Sequence, residues 1–208
     1  MSDHNFDVVI LGGGSGGYAA ALRSAQLGLS VALIERDKLG GTCLHRGCIP
    51  TKALLHSAEV ADVTREAATY GIQATLQGVD MPAVNKYRDG IIERLYKGLS
   101  GLVSSKAITL VAGEGRMVGP KTIAVGADTY TGKNVVLATG SYSKTIPGLE
   151  LQGRFMDSEK ALTLDFVPTS VIVLGGGVIG VEFASIWKSL GAEVTIVEGL
   201  PTLVPNED

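Results

Sequence analysis

No stretch of this 208-residue sequence is apolar for long enough to cross a bilayer, and its first residues do not form a secretory signal. Residues 1–5 are polar, and the apolar run Val8–Leu11 stops at a glycine cluster after four residues. A cytoplasmic address is the resulting expectation. Positive charge is not in excess either. The formal net charge is −3, with no basic stripe or patch, which excludes nucleic acid as an expected partner. Cysteine is scarce, with two residues, and in a reducing compartment catalysis explains such a pair better than a structural crosslink does. Histidine is limited to His4, His45 and His56, and no low-complexity tract is present.

What the sequence does have is glycine. There are 28, against a usual share of about 7%, and they cluster in patterns that cradle phosphate rather than in linkers. With 45% hydrophobic residues the chain can bury a sizeable core, and its length suggests one large domain or one and a half.

The most informative feature is an internal repeat. Val8–Leu11 leads to Gly12-x-Gly14-x-x-Gly17, a helical stretch, Gly28, and Val31–Ile34 ending on Glu35. The pattern returns without a gap 163 residues on: Val171–Leu174, then Gly175-x-Gly177-x-x-Gly180, a helical stretch, Gly191, and Val194–Val197 ending on Glu198. Each copy reads as strand, glycine turn, helix, strand. One such glycine motif is weak evidence. Two in register, each following a β-rich strand and closing on an acid, meet the context that dinucleotide binding requires. The first glycine permits the tight turn, the second lets a pyrophosphate approach the backbone, and the third lets helix and strand pack. Helix amides then face the phosphates. Glu35 and Glu198 can each accept hydrogen bonds from a ribose diol. A carboxylate suits a free 2′-hydroxyl and repels a 2′-phosphate, so Glu198 favours NAD over NADP.

Between the copies, residues 49 to about 69 read as a long helix. Val84, Tyr87, Ile91, Leu95, Leu99 and Leu102 recur at helical spacing, predicting a second helix with that stripe in the core. Ile108–Ala112, Thr122–Val125 and Asn134–Ala138 read as short strands. Residues 141–170, with Pro147-Gly148 and Pro168, read as a connection between domains.

The two cysteines lie in Gly40-Gly41-Thr42-Cys43-Leu44-His45-Arg46-Gly47-Cys48-Ile49-Pro50-Thr51-Lys52. Five residues apart on a regular helix they would point to different faces. A bond between them needs Cα atoms within about 7 Å, which a helix start distorted at Gly47 would allow. Amides at a helix start also favour a thiolate. A metal site with His45 lacks a fourth ligand and the usual spacing. Two unrelated thiols fit poorly with the surrounding glycines but stay open, and a redox-active pair fits best.

Gly41-Thr42-Cys43-x4-Cys48-x-Pro50-x-Lys52, soon after a first glycine motif, resembles the pyridine nucleotide–disulfide oxidoreductases. Leu44 and Ile49–Leu55 are most similar to the dihydrolipoamide dehydrogenase branch of that family. Ala138-Thr139-Gly140-Ser141 and Gly177–Glu182 match further family signatures. The resemblance implies an α/β fold: a Rossmann-like FAD-binding domain over residues 1–150, then a partial second Rossmann-like domain for NAD over 151–208. It implies that Cys43 exchanges with lipoyl sulfurs, that Cys48 lies against the flavin, that Lys52 sits near the flavin's reactive nitrogen, and that Glu182 pairs with Lys52. It assigns FAD to Gly12, Gly14, Ser15, Gly17, Glu35, Arg36, Gly41, Thr42, Lys52, Gly113, Gly115, Thr139, Gly140 and Ser141, and NAD to Gly175, Gly177, Gly180 and Glu198. Implied partners are lipoyl domains of 2-oxo acid dehydrogenase or glycine cleavage complexes, with a homodimer as the full-length assembly and no metal. The family's histidine base and dimer domain lie beyond the second unit, so the expectation is a truncated chain with no turnover of its own. His45-Arg46 departs from the Asn-Val common in the family. Alternatives are a sister NAD(P)H-dependent disulfide or mercuric reductase, or a non-catalytic nucleotide-binding fragment.

Overall fold

The computed structural model describes residues 2–205. The chain divides into two compact units, Met1–Arg46 with Ile92–Tyr142, and Gly47–Ile91 with Ser143–Asp208.

The first unit is built on a six-stranded sheet in the order β3-β2-β1-β6-β5-β4. Its parallel half comprises β1 (Asp3–Leu11), β2 (Val31–Glu35), β3 (Ile108–Ala112) and β6 (Asp128–Leu137). β4 (Gly115–Gly119) and β5 (Thr122–Val125) continue it antiparallel, with a register shift between Met117 and Gly119. Side chains alternate across a strand, so β1 and β2 feed two cores at once. Val8, Ile10, Val31 and Leu33 pack on one face with Ala21 of α1 (Ser15–Gln26) and Val103 of α4 (Met81–Ser104). Val9, Ala32 and Ile34 pack on the other with Val111, Ile123 and Tyr130. This two-sided burial explains why β2 reads as an unbroken apolar run.

The second unit pairs β7 (Ser170–Leu174) with β8 (Glu193–Val197) in parallel. α6 (Val178–Leu190) supplies Phe183, Ile186, Trp187 and Leu190 to a core shared with Leu54 and Ala58 of α3 (Cys48–Glu66). Burying side chains of this size stabilises by about 1.5–3 kcal/mol each. These contacts place Gly47–Ile91 with the second unit, so the division differs from a single cut after residue 150.

The expected helix from residue 49 is α3, which gives way to a 3-10 turn at Ala67–Tyr70 and ends on left-handed Gly71. The core assignment of the α4 stripe holds for Val84 and Leu99, which are partly buried against the two cores, and is corrected for three other residues. Tyr87, Leu95 and Leu102 are exposed, while Met81, Arg88 and Val103 are the buried residues of that helix. Arg88 is neutralised in place. It donates to Asn85 Oδ1 at 2.8 Å and to the Leu162 carbonyl, and pairs with Asp89 at 2.7 Å. Two elements were not foreseen. β4 is flanked by glycines that read as turn, and α5 (Ser158–Ala161) is a single turn capped by the Asp157 side chain, which accepts from Lys160 N–H at 2.9 Å. Among the described residues no helix is long and apolar enough to cross a membrane.

At the amino end of the parallel strands, Asp7 accepts from Ser30 N–H at 2.9 Å and Ser30 Oγ at 2.8 Å, and pairs with Lys133 at 2.7 Å. The Lys133 ammonium, then the Ser30 donors, hold its carboxyl well below the usual carboxylate range. A carboxyl whose folded value is depressed stabilises fully above its unfolded value of about 3.9 and loses that contribution as pH falls toward the folded value. Asp7→Asn is therefore expected to lower the urea midpoint by a constant amount above about pH 5, with the gap closing in more acidic buffer. A gap that stays unchanged down to pH 2.5 would exclude the ionised Asp7 network as its source.

Candidate active site

The expected nucleotide residues of the first unit lie just past the carboxyl ends of its parallel strands, where ligands bind in open α/β sheets. β1 ends at Leu11 and turns through Gly12, whose φ of 105° suits glycine alone. A Cβ there would also fall 2.1 Å from the Ala138 carbonyl oxygen, which brings Thr139, Gly140 and Ser141, exposed after β6, beside the turn. Gly17 is buried, and a Cβ on it would sit 1.7 Å from the Gly12 carbonyl oxygen. Gly14 caps α1 without a side-chain cap, and its would-be Cβ meets only the Gly41 Cα, at 3.8 Å. The amides of the first helical turn, with exposed Ser15 at its start, are thus left to a ligand.

Glu35 holds this turn. Its Oε2 accepts from Gly13 N–H at 2.6 Å and its Oε1 from Asp37 N–H at 2.8 Å. A carboxylate offers about four acceptor sites, so room for a ribose hydroxyl remains. Gly113 N–H donates to the Glu35 carbonyl at 2.9 Å, and exposed Arg36 lies 3.9 Å from Glu114. Gly115 packs against Leu11 and Ile34, so its lack of a side chain serves packing.

The second unit repeats the device. Gly175 has φ 104°, and a Cβ on Gly180 would fall 2.0 Å from the Gly175 carbonyl oxygen. Gly177 caps α6 with open space where its Cβ would be. Glu198 accepts from Gly176 N–H at 2.6 Å and Leu200 N–H at 2.8 Å, and these amides hold its carboxyl below the ordinary range. Sequence reasoning passed over Gly13 and Gly176, the donors in both struts. The glycine triplets Gly12–Gly14 and Gly175–Gly177 were the available signal.

The cysteine segment starts on the first nucleotide turn. Gly40 N–H donates to the Gly13 carbonyl at 2.9 Å, and a Cβ on Gly41 would fall 2.7 Å from Gly14 Cα. Cys43, half-buried, follows exposed Thr42 in the short helix α2 (Gly41–Arg46). Gly47 interrupts the helical path, and exposed Cys48 is the first residue of α3. One turn into α3, Lys52 Nζ donates to Glu182 Oε1 of α6 at 2.5 Å, the pairing expected for these two residues.

Comparison with known proteins identifies the class, an oxidoreductase, to which these two glycine turns and the cysteine segment belong. A family profile described as Pyridine nucleotide-disulphide oxidoreductase matches residues 6–208, and the chain belongs to this family. It is 42% identical to dihydrolipoyl dehydrogenase of Bacillus subtilis (strain 168) across 98% of this chain and 46% of that protein. It is 43% identical to mitochondrial dihydrolipoyl dehydrogenase 1 of Arabidopsis thaliana across 100% of this chain and 42% of that protein. Among solved structures, the Cu(II) complex of the HOCl-induced flavoprotein disulfide reductase RclA from Escherichia coli matches with a TM-score of 0.79 and 30% identity, over 97% of this chain and 44% of that one. The chain thus spans less than half the length of these relatives. The family and its flavoprotein relatives imply FAD. The first turn fits it: open at Gly14, uncapped at α1, with Glu35 beside it.

Gly16 and Gly17 offer a paired test. A Cβ on Gly16 meets nothing within 4 Å, whereas one on Gly17 collides with backbone. Gly16→Ala should raise the melting temperature slightly, since alanine is favoured over glycine in a helix by about 1 kcal/mol. Gly17→Ala should cost about 1–3 kcal/mol and abolish FAD binding measured by fluorescence quenching. Equal behaviour of the two variants would refute the close approach at Gly17.

Proposed function

We propose that the chain carries the dithiol and nucleotide sites of an enzyme that oxidises protein-bound dihydrolipoamide with NAD+. The observation that carries this reading is the start of the cysteine helix on the phosphate-facing turn, with Gly41 against Gly14 and Cys43 two residues on. The identity to dihydrolipoyl dehydrogenases supports the choice of substrate.

The working form has Cys43 and Cys48 joined as a disulfide. A dihydrolipoyl thiolate attacks Cys43 Sγ, forming a mixed disulfide, and Cys48 leaves as thiolate. The second lipoyl thiol, deprotonated, attacks the lipoyl sulfur of that mixed disulfide and expels Cys43 as thiolate. Lipoamide leaves as its cyclic disulfide, and the cysteine pair has gained two electrons. FAD, when bound, is the carrier that accepts those electrons and passes them to the pyridine nucleotide. Lys52, fixed by Glu182, supplies a positive charge to balance the reduced cofactor. Glu198 selects NAD+ by accepting from the ribose diol and repelling a 2′-phosphate. On the same reading the partners are lipoyl domains of 2-oxo acid dehydrogenase or glycine cleavage complexes, the full-length enzyme is a homodimer, and its compartment is the cytoplasm.

Thiol counting on the folded, oxidised chain should find no reactive thiol, and one equivalent of dihydrolipoamide should release two. Two thiols that survive oxidation unpaired would rule out the dithiol mechanism. Glu198→Gln removes the charge while keeping an acceptor for Gly176. It is expected to reduce NAD+ binding about ten- to hundredfold, the scale of one charged hydrogen bond, and to narrow the preference over NADP+. An unchanged ratio of the two dissociation constants would show that another group discriminates.

A further inference from the structure

The mechanism above leaves His45 and Arg46 unused. Their surroundings in the first unit are specific. His45 is half-buried in α2, and its Nε2 lies 2.8 Å from the Leu39 carbonyl oxygen. A carbonyl only accepts, so Nε2 carries the proton and donates. The ring meets Tyr96 of α4 edge-on, with centroids 5.3 Å apart and planes at 66°. Arg46 reaches toward Asp37, 4.0 Å away, and Asp37 N–H donates to Glu35.

Leu39, which His45 grips, is itself a contact of the nucleotide turn. It is buried, and its Cδ2 would lie 2.8 Å from a Cβ on Gly13. The next residue, Gly40, donates to the Gly13 carbonyl. Gly13 donates in turn to Glu35. A closed circuit results: glutamate to Gly13, Gly13 to Gly40, Leu39 to His45, and His45 back along α2 past Cys43. A helix of six residues has little stability of its own. Its orientation depends on such ties, here Leu44, which is buried, and the imidazole.

We propose that His45 is a positioning residue that locks the Cys43 helix to the first dinucleotide turn, through its Nε2–H bond to Leu39. The inference rests on the reading that this turn binds FAD and that Cys43 is the exchanging thiol. Removing the donor frees the Leu39 carbonyl and lets α2 turn against Gly13 and Gly40, so one substitution shifts both nucleotide affinity and thiol reactivity.

The test compares His45→Met, which keeps bulk without a donor, with His45→Gln, whose amide nitrogen has about the reach of Nε2. Two quantities are read well below the melting temperature. One is the FAD dissociation constant by flavin fluorescence. The other, in a Cys48→Ser background, is the rate at which the remaining thiol, Cys43, is trapped by 5,5′-dithiobis(2-nitrobenzoate). His45→Met should weaken FAD binding about tenfold, the worth of one hydrogen bond, and change the Cys43 rate severalfold. His45→Gln should restore both. A lower melting temperature with both quantities at wild-type values would overturn the proposal. So would a His45→Gln variant as impaired as His45→Met, or as impaired against wild type if His45→Met does not fold. If the unsubstituted chain binds no FAD, the flavin reading fails, while the Cys43 rates still decide the role of His45.

Discussion

A carboxylate that grips a backbone amide is the constraint on which the rest of this structure hangs. A glycine turn that opens a helix without a side-chain cap leaves its amides unsatisfied by that helix, so something else must fix its orientation. Glu35 does so for the first turn and Glu198 for the second, each through a 2.6 Å bond to the middle residue of a glycine triplet. Hydrogen bonds to a charged group are worth about 1.5–3 kcal/mol. Each strut also joins the end of one strand to the turn after its parallel neighbour, tying the positions of helix start and sheet together. In the first unit Gly40 then docks on Gly13, Gly41 on Gly14, and Cys43 follows.

The two units agree in more than their glycines. In each, a leucine presses on the strut-bearing glycine: Leu39 would lie 2.8 Å from a Cβ on Gly13, and Leu203 2.4 Å from one on Gly176. In each, a backbone amide arriving from downstream donates to the carbonyl of that glycine, Gly40 in one case and Val204 in the other. These leucines are out of step with the 163-residue repeat by one position. Strict sequence register therefore does not account for them. A turn held on one side by a carboxylate still needs an apolar lid on the other, and each unit supplies one from the segment that follows its second strand.

Elements whose identity is local were legible in the sequence: β3 and β5 fall on the residues expected, and both glycine turns lie where the motif puts them. The misses depend on partners that a linear pattern does not name. The α4 stripe has the right period, but buried Arg88 turns toward the Leu162 carbonyl, leaving Tyr87 and Leu95 outside. The affiliation of Gly47–Ile91 is set by Leu54 and Ala58 meeting Ile186 and Trp187, more than a hundred residues on. The pairing of Lys52 with Glu182 spans the same interval. It was reached through family resemblance, because no local rule connects a lysine on one helix with a glutamate on another.

The break at Gly47 shows why the cysteine segment needs its flanking residues as much as its thiols. One continuous helix would point residues five apart to different faces. Here Gly47, with φ −142° and ψ −111°, interrupts the path, so Cys43 belongs to α2 while Cys48 opens the 19-residue α3. A glycine cap offers no side chain to the first amides of α3. Thr51, buried in the first turn, acts on the opposite pole. Its Oγ1 donates to the Gly47 carbonyl at 2.7 Å, alongside its own N–H at 3.1 Å. The carbonyl side of the break is thus doubly held, while the amide side stays without a side-chain cap next to Cys48. The residues between the cysteines, Gly47 above all, therefore decide that the two sulfurs stand on two helices rather than on one.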